Sequence, residues 1–178
     1  NNTVIGTPVM DTPIVFDAGI TPNRPDYLAV RGIAHDLAAA GVGEYIAPND
    51  DVLPLQKTSR NVVIKTDRCP VYQFCEISGI NVCPSDKKIA SRLAAIGINP
   101  KNAPIDATNY ICFDMAQPMH CFDADEIHGD IVVRMATGEK FTDLFGTEHE
   151  LTDSDMVIAD DMGILALAGV IGGARGAT

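Results

Sequence analysis

Between Ala107 and Ile127 the chain reads ATNYICFDMAQPMHCFDADEI, which sets a hydroxyl at Thr108, an amide at Asn109, an imidazole at His120 and carboxylates at Asp123, Asp125 and Glu126. A hydroxyl and an amide both donate and accept hydrogen bonds, and an imidazole takes up or releases a proton near neutral pH. Pro118 fixes φ and brings the chain to His120 in an extended approach. Such a set suits hydrolysis of a small substrate joined through a polar linkage. The same residues also have a plainer reading. Asp106 or Thr108 then caps a helix, Asn109 and Tyr110 face solvent, and His120 is a satisfied histidine at a strand start.

Other reactive side chains carry less chemistry. The five cysteines, Cys69, Cys75, Cys83, Cys112 and Cys121, form an odd set without a Cys-x-x-Cys pair, which argues against a disulfide framework and a structural zinc site. Cys121 adjoins His120, but neighbours in a strand point to opposite faces, so the pair is badly aimed for nucleophilic catalysis. The DADE run from Asp123 to Glu126 lacks a coordinating loop and reads as an acid-rich helix start, so no metal is expected. Gly172-Gly173-Ala174-Arg175-Gly176 lacks the P-loop lysine and the Rossmann spacing, and reads as close backbone packing. In TPNRPD, Asn23, Arg24 and Asp26 read as turn and cap residues, with Arg24 bridging to a carboxylate.

These groups need a scaffold. With 178 residues, 46% of them hydrophobic, the chain can bury a sizeable core as one domain or as two small, intimately packed ones. No apolar run approaches the roughly 20 residues of a membrane span, and the first residues lack a signal peptide, so the expected location is cytoplasmic. The chain opens at Asn1 without Met and stops after a glycine-rich stretch, and reads as a piece truncated at both ends. The net charge of −11 opposes a primary role as a nucleic-acid clamp. Lys87, Lys88 and Arg92 fall at helical spacing and read as a solvated face.

Alternation of Ile14, Phe16, Ala18 and Ile20 predicts a strand over 13–20. Asp26 as N-cap, then Val30, Ile33, Leu37 and Ala40, predict a helix ending at Gly41. Residues 44–59 read as a connecting loop, followed by strands over 62–66 and 71–80. Ser85 announces a second helix with Ile89, Leu93 and Ile96 as its stripe and Gly97 as its stop. A third, shorter helix is expected over 106–115. The last third predicts strands over 130–135, 140–145, 156–160 and 164–171, with turns at 145–147 and 161–163. The expected fold class is α+β: a sheet-rich core of mixed or antiparallel strands with about three flanking helices, forming one unit over 1–178.

Four blocks in order, ITPNRPDYLAVRGIAHDLAA (20–39), the segment 107–127, IVVRMATGEKFTDLFGTEHEL (131–151) and VIADDMGILALAGVIGG (157–173), resemble the beta subunit of bacterial phenylalanyl-tRNA synthetase. The resemblance covers nearly the whole chain and corresponds to the central editing-site module of that subunit. It implies an α+β module with a pocket that hydrolyses tyrosine wrongly attached to phenylalanine-accepting tRNA. A hydrophobic pocket cannot strongly reject an isostere that merely adds a hydroxyl, so a second site must recognise that hydroxyl and cut the ester. By this resemblance Thr108 and Asn109 orient the ester and the attacking water, and His120 contacts the terminal ribose or the water. Gly173, with Gly172 beside it, leaves room for the aromatic ring.

The resemblance also implies partners: a synthetase alpha subunit in a heterotetramer of two alpha and two beta chains, and phenylalanine-accepting tRNA, with no membrane and no DNA. ATP and Mg²⁺ belong to the parent complex, and no cofactor is expected in this module. Two departures stand out. Ala174 replaces the glutamate that commonly follows the Gly-Gly pair, and Cys121 replaces the alanine after the motif histidine. A further acidic residue and a small-residue wall of the family's pocket fall beyond Thr178, so little or no hydrolysis is expected from this piece alone. A free-standing trans-editing deacylase and a non-catalytic docking module remain as alternatives.

Overall fold

A computed structural model describes residues 14–48 and 56–178. Their contacts group the chain into two units interleaved along the sequence: residues 1–49 with 81–119, and residues 50–80 with 120–178.

The first unit is helical. Its TPNRPD turn runs into a short 3-10 helix, Pro25–Leu28, and then into α1, Val30–Ala39. Asp26 therefore does not cap α1; it lies one turn earlier and is held by the Arg24 guanidinium at 2.6 Å, the carboxylate bridge expected of that turn. In α2, Lys87–Ala95, the N-cap is Asp86, whose carboxylate accepts the Lys88 amide, and not Ser85. The Ser85 hydroxyl instead donates to the fully buried Asp106. Asp106 also accepts the Lys101 amide at 2.9 Å, so one carboxylate ties the approach to α2 to the approach to α3. The third helix, α3, spans Ala103–Met115 and starts three residues earlier than the sequence suggests. Asn102 caps it by accepting the Ile105 amide at 3.0 Å, and a proline at its start suits a position with no intrahelical amide bond to lose. Ala116, at φ 56°, ends it in the left-handed region.

The second unit is a sheet. β1 (Val62–Ile64), β2 (Ile131–Met135), β5 (Met156–Asp160), β6 (Gly163–Leu167) and β7 (Ile171–Gly172) lie side by side in that order, while β3 (Lys140–Thr142) and β4 (Glu148–Glu150) form a hairpin of their own. β1 and β2 are parallel and the other pairs antiparallel, giving the mixed sheet of an α+β fold. Val157 and Ile158 are neighbours on the central strand β5 and point to opposite faces. Val157 joins Ala136, Phe141 and Leu151, and Ile158 joins Ile131, Val133 and Leu165, so a core lies on each side of the sheet. The pairing register shifts between Ile158 and Ala159, where β6 carries the extra residue Leu165, and Asp160, two residues after Ile158, lies buried at the end of β5.

Two predicted strands do not form among the described residues. Pro13 lies outside the described residues, and 14–20 pair with no strand among those described. Over 71–80 the alternation is real in burial only: Tyr72 and Phe74 pack on the core while their backbone joins no ladder. Period two reports which side chains face inward, and a strand also needs a hydrogen-bonding neighbour. The strand expected over 164–171 is broken by a turn through Gly169 (φ +73°) into β6 and β7. β4, reading Glu-His-Glu, has no apolar signal and was not anticipated.

Candidate functional site

His120 lies in the second unit, on the extended chain that Pro118 introduces. Its ring sits on the backbone of Gly172 and edge-on to Phe122, with ring centroids 4.4 Å apart. A Cβ on Gly172 would lie 2.4 Å from Cε1 and 2.8 Å from Nε2 of that ring, closer than any side chain tolerates. Gly172 is thus a glycine because the imidazole occupies the space its side chain would need. The buried face of the ring pulls the His120 pKa below the usual histidine value, because desolvation disfavours the imidazolium. The shift favours the neutral imidazole, and the residue as a whole remains exposed, so the ring can accept a proton or a hydrogen bond.

Gly173 is confined from inside the unit. A Cβ there would lie 2.7 Å from the Leu165 carbonyl oxygen and 2.9 Å from Cε2 of Phe141, and its amide donates to that same carbonyl at 2.7 Å. The two adjacent glycines therefore do different work: Gly172 accommodates the histidine, and Gly173 accommodates the core. The chain through them is also bonded to the β3 side, because the Leu144 amide donates to Gly172 O and the Ala174 amide to Thr142 O, each at 3.0 Å. Asp143 organises that neighbouring turn. It accepts the Phe145 amide at 2.8 Å and the Thr147 amide at 3.0 Å and meets His149 Nε2 at 2.8 Å. These bonds, that from His149 foremost, lower the Asp143 pKa.

Thr108 and Asn109 belong to the first unit, on α3. The Thr108 hydroxyl donates to the Ile105 carbonyl at 2.8 Å, which leaves its oxygen lone pairs as acceptors. Asn109 is half-buried, and next to it Tyr110 accepts a hydrogen bond from Arg92. Neither residue caps the helix, the role the plainer reading gave Thr108; that falls to Asn102. The structure brings together His120 and Gly172 of the expected set, places Gly173 against the core behind them, and seats Thr108 and Asn109 side by side in one helical turn.

Sequence reasoning passed over Asp143 with His149, and Asp160 with Arg175. A signal existed for the first, since Asp143 and Gly146 flank a predicted turn and Asp side chains accept amides two residues on. No spacing signal pairs Asp160 with Arg175; they are fifteen positions apart, with strands β6 and β7 between them.

These features define a class: an α+β protein whose sheet unit presents a histidine packed on a glycine of its last strand. Residues 68–178 match the B3/4 domain, and the chain belongs to that family. It is similar to the phenylalanine-tRNA ligase beta subunit of Mesorhizobium japonicum, with 42% identity over 167 residues, 92% of this chain and 21% of that one. It is also similar to the beta subunits of Geobacter metallireducens, at 38% identity over 95% of the chain, and Bartonella henselae, at 40% over 93%. Of these two relatives the match covers 22% and 21%. The resemblance to the synthetase beta subunit seen in the four sequence blocks is borne out. The chain spans about a fifth of the length of the curated relatives it matches. Among the described residues no helix is long and apolar enough to cross a membrane.

Proposed function

We propose that the chain is part of the beta subunit of a phenylalanine-tRNA ligase, and that this part proofreads by hydrolysing tyrosine esterified to phenylalanine-accepting tRNA. The observation that carries this reading is the imidazole of His120 packed on Gly172, within a chain about 40% identical to such subunits. In the reaction a water oxygen bonds to the acyl carbon, the bond from that carbon to the ribose oxygen breaks, and a proton from the water passes to the departing ribose oxygen. The products are free tyrosine and uncharged tRNA. A neutral imidazole suits the transfer, because it accepts the water proton as attack begins and returns it to the leaving oxygen. Thr108 and Asn109 keep the roles the resemblance assigns them, hydrogen bonding to the ester and to the water.

The sign of the histidine shift bears on pH. His120 is neutral in the folded protein to lower pH than in the unfolded chain, so a rate that needs the neutral ring falls only on the acid side of the ordinary histidine range. By this reading the alpha subunit and tRNA are the partners, the location is cytoplasmic, and ATP and Mg²⁺ serve amino-acid activation in the parent complex, with no step here routed through them.

The test is deacylation of tyrosyl- and phenylalanyl-tRNA, both on phenylalanine-accepting tRNA, by the full subunit complex with and without His120→Ala. General-base loss of this kind costs about 10²- to 10⁴-fold. Selective loss of tyrosine that the substitution slows supports the reading, and an unchanged rate removes His120 from the mechanism. The exposed Ala174, which puts a methyl where relatives of the resemblance carry a carboxylate, favours one second reading, a fold kept for docking. Absence of tyrosine release by the complex would select it.

A further inference from the structure

We propose that Arg175 is a positioning residue for His120, holding the chain that follows the glycine pair against the turn that follows the histidine. Arg175 Nη1 donates to Asp160 Oδ2 at 2.9 Å and to the Glu126 carbonyl at 3.1 Å. Its Nη2 donates to Asp160 Oδ1 at 2.6 Å and to the Gly163 carbonyl at 2.9 Å. One planar guanidinium thus joins three pieces of chain: the 3-10 turn Ala124–Glu126, the end of β5 and the start of β6.

Asp160 is the fixed point of this arrangement. Its side chain has no exposed surface, and it also accepts the His128 amide at 2.8 Å and the Met162 amide at 2.9 Å. The carboxylate therefore anchors residue 128 directly and residue 126 through the arginine. Beyond Arg175 the same contact continues, since Asp123 donates its amide to Gly176 O at 3.1 Å and Phe122 forms a bridge with Ala177. Residues 122–128 are in this way bonded along their length by 175–177 and Asp160.

His120 stands at the open end of that lattice, two residues before Phe122, and its ring rests on Gly172, three residues before Arg175. Both the chain that carries the ring and the chain that seats it converge on the one guanidinium. Releasing Arg175 unties residue 126 from the ends of β5 and β6, leaving the turn held only by its backbone bonds at 122–123 and by the Asp160–His128 bond, and the imidazole then shifts off Gly172 and gains further contact with water. Lysine cannot substitute, because a single ammonium nitrogen has no planar fork to bond both carboxylate oxygens and two carbonyls together.

This inference deepens the proposed hydrolase reading but has a test that does not need hydrolysis. In the full subunit complex, acylation of His120 by diethyl pyrocarbonate is followed by mass spectrometry across pH for the native protein, Arg175→Lys and Arg175→Met. The reagent attacks the neutral imidazole, so the rate reports access and its midpoint reports protonation. Both substitutions are expected to raise the His120 rate several-fold and move its midpoint up toward the ordinary histidine value, with His35 unchanged. Arg175→Lys keeps a cation beside Asp160 and serves as the folded variant should Arg175→Met fail to fold. An unchanged His120 rate and midpoint in Arg175→Lys overturns the proposal, whatever happens to thermal stability. If the native complex releases tyrosine, the acid limb of kcat/KM should move with the labelling midpoint; if it releases none, the hydrolase reading falls and the labelling still decides the role of Arg175.

Discussion

The helical unit and the sheet unit fix their polar groups by opposite means. In the first, Thr108 and Asn109 are placed by one helix whose start is set locally, by the Asn102 cap and the buried Asp106. Among its described residues only Ala29 and Leu93 are buried apolar side chains, and α1 buries nothing fully. In the second, His120 is in no regular element and is held by contacts with residues about fifty positions away, on a sheet with a core on each face. A helix can orient neighbouring side chains through its own backbone, whereas a histidine in a loop needs the rest of the domain to hold it.

Substitutions can break this contrast in order of size. Arg175→Met leaves the buried Asp160 carboxylate unpaired and should cost about 3–5 kcal/mol in chemical denaturation, with hydrogen exchange accelerating in β5 and β6. A loss confined to residues near 175 would show the sheet unit to be held by its apolar faces alone. Asp106→Ala removes the acceptor for the Ser85 hydroxyl and the Lys101 amide. It should cost about 2 kcal/mol, read by exchange in α2 and α3. A negligible cost would mean that apolar packing, not the buried carboxylate, joins those helices.

Acid titration probes the sheet unit without mutation. Burial by itself would raise the Asp160 pKa from its ordinary 3.8, but the Arg175 fork and the His128 and Met162 amides hold it down to about 2. The unfolded chain therefore takes up this proton first, so the stabilisation is complete above about pH 5 and is lost as the pH falls toward 2. A drop from 3.8 to about 2 corresponds to about 2.5 kcal/mol, and Arg175→Met should flatten that part of the stability curve. The smallest effect is expected at the helix start: Asn102→Ala should cost about 1 kcal/mol and fray the turn that precedes Thr108, visible as faster exchange at Ile105 and Asp106.

How legible the molecule was follows the same division. The three helices were readable because apolar spacing, caps and glycine stops act within one or two turns, and errors came only at the starts: Asp26 does not cap α1, and Asp86 and Asn102 cap in place of Ser85 and Asp106. Strands β1, β2, β5 and β6 were readable from apolar runs and β3 from the turn after it, while 71–80 shows that alternation survives where pairing does not. The identities of His120, Thr108 and Asn109 stood out as types and spacing. That Gly172 seats the imidazole and Gly173 the Phe141 ring could not be read from two identical residues in a row.

By itself the sequence determined the α+β class, the helices with their local stops, the acidic surface and the short set of residues able to do chemistry, because all of these depend on composition or on neighbours within a few positions. Only the tertiary structure decided that the histidine ring packs on Gly172, that Asp160 is buried at the end of β5 and that Arg175 meets it there. Burial and ion pairing are set by which distant segments share a sheet edge, and strand order is a property of the folded chain that no local spacing records.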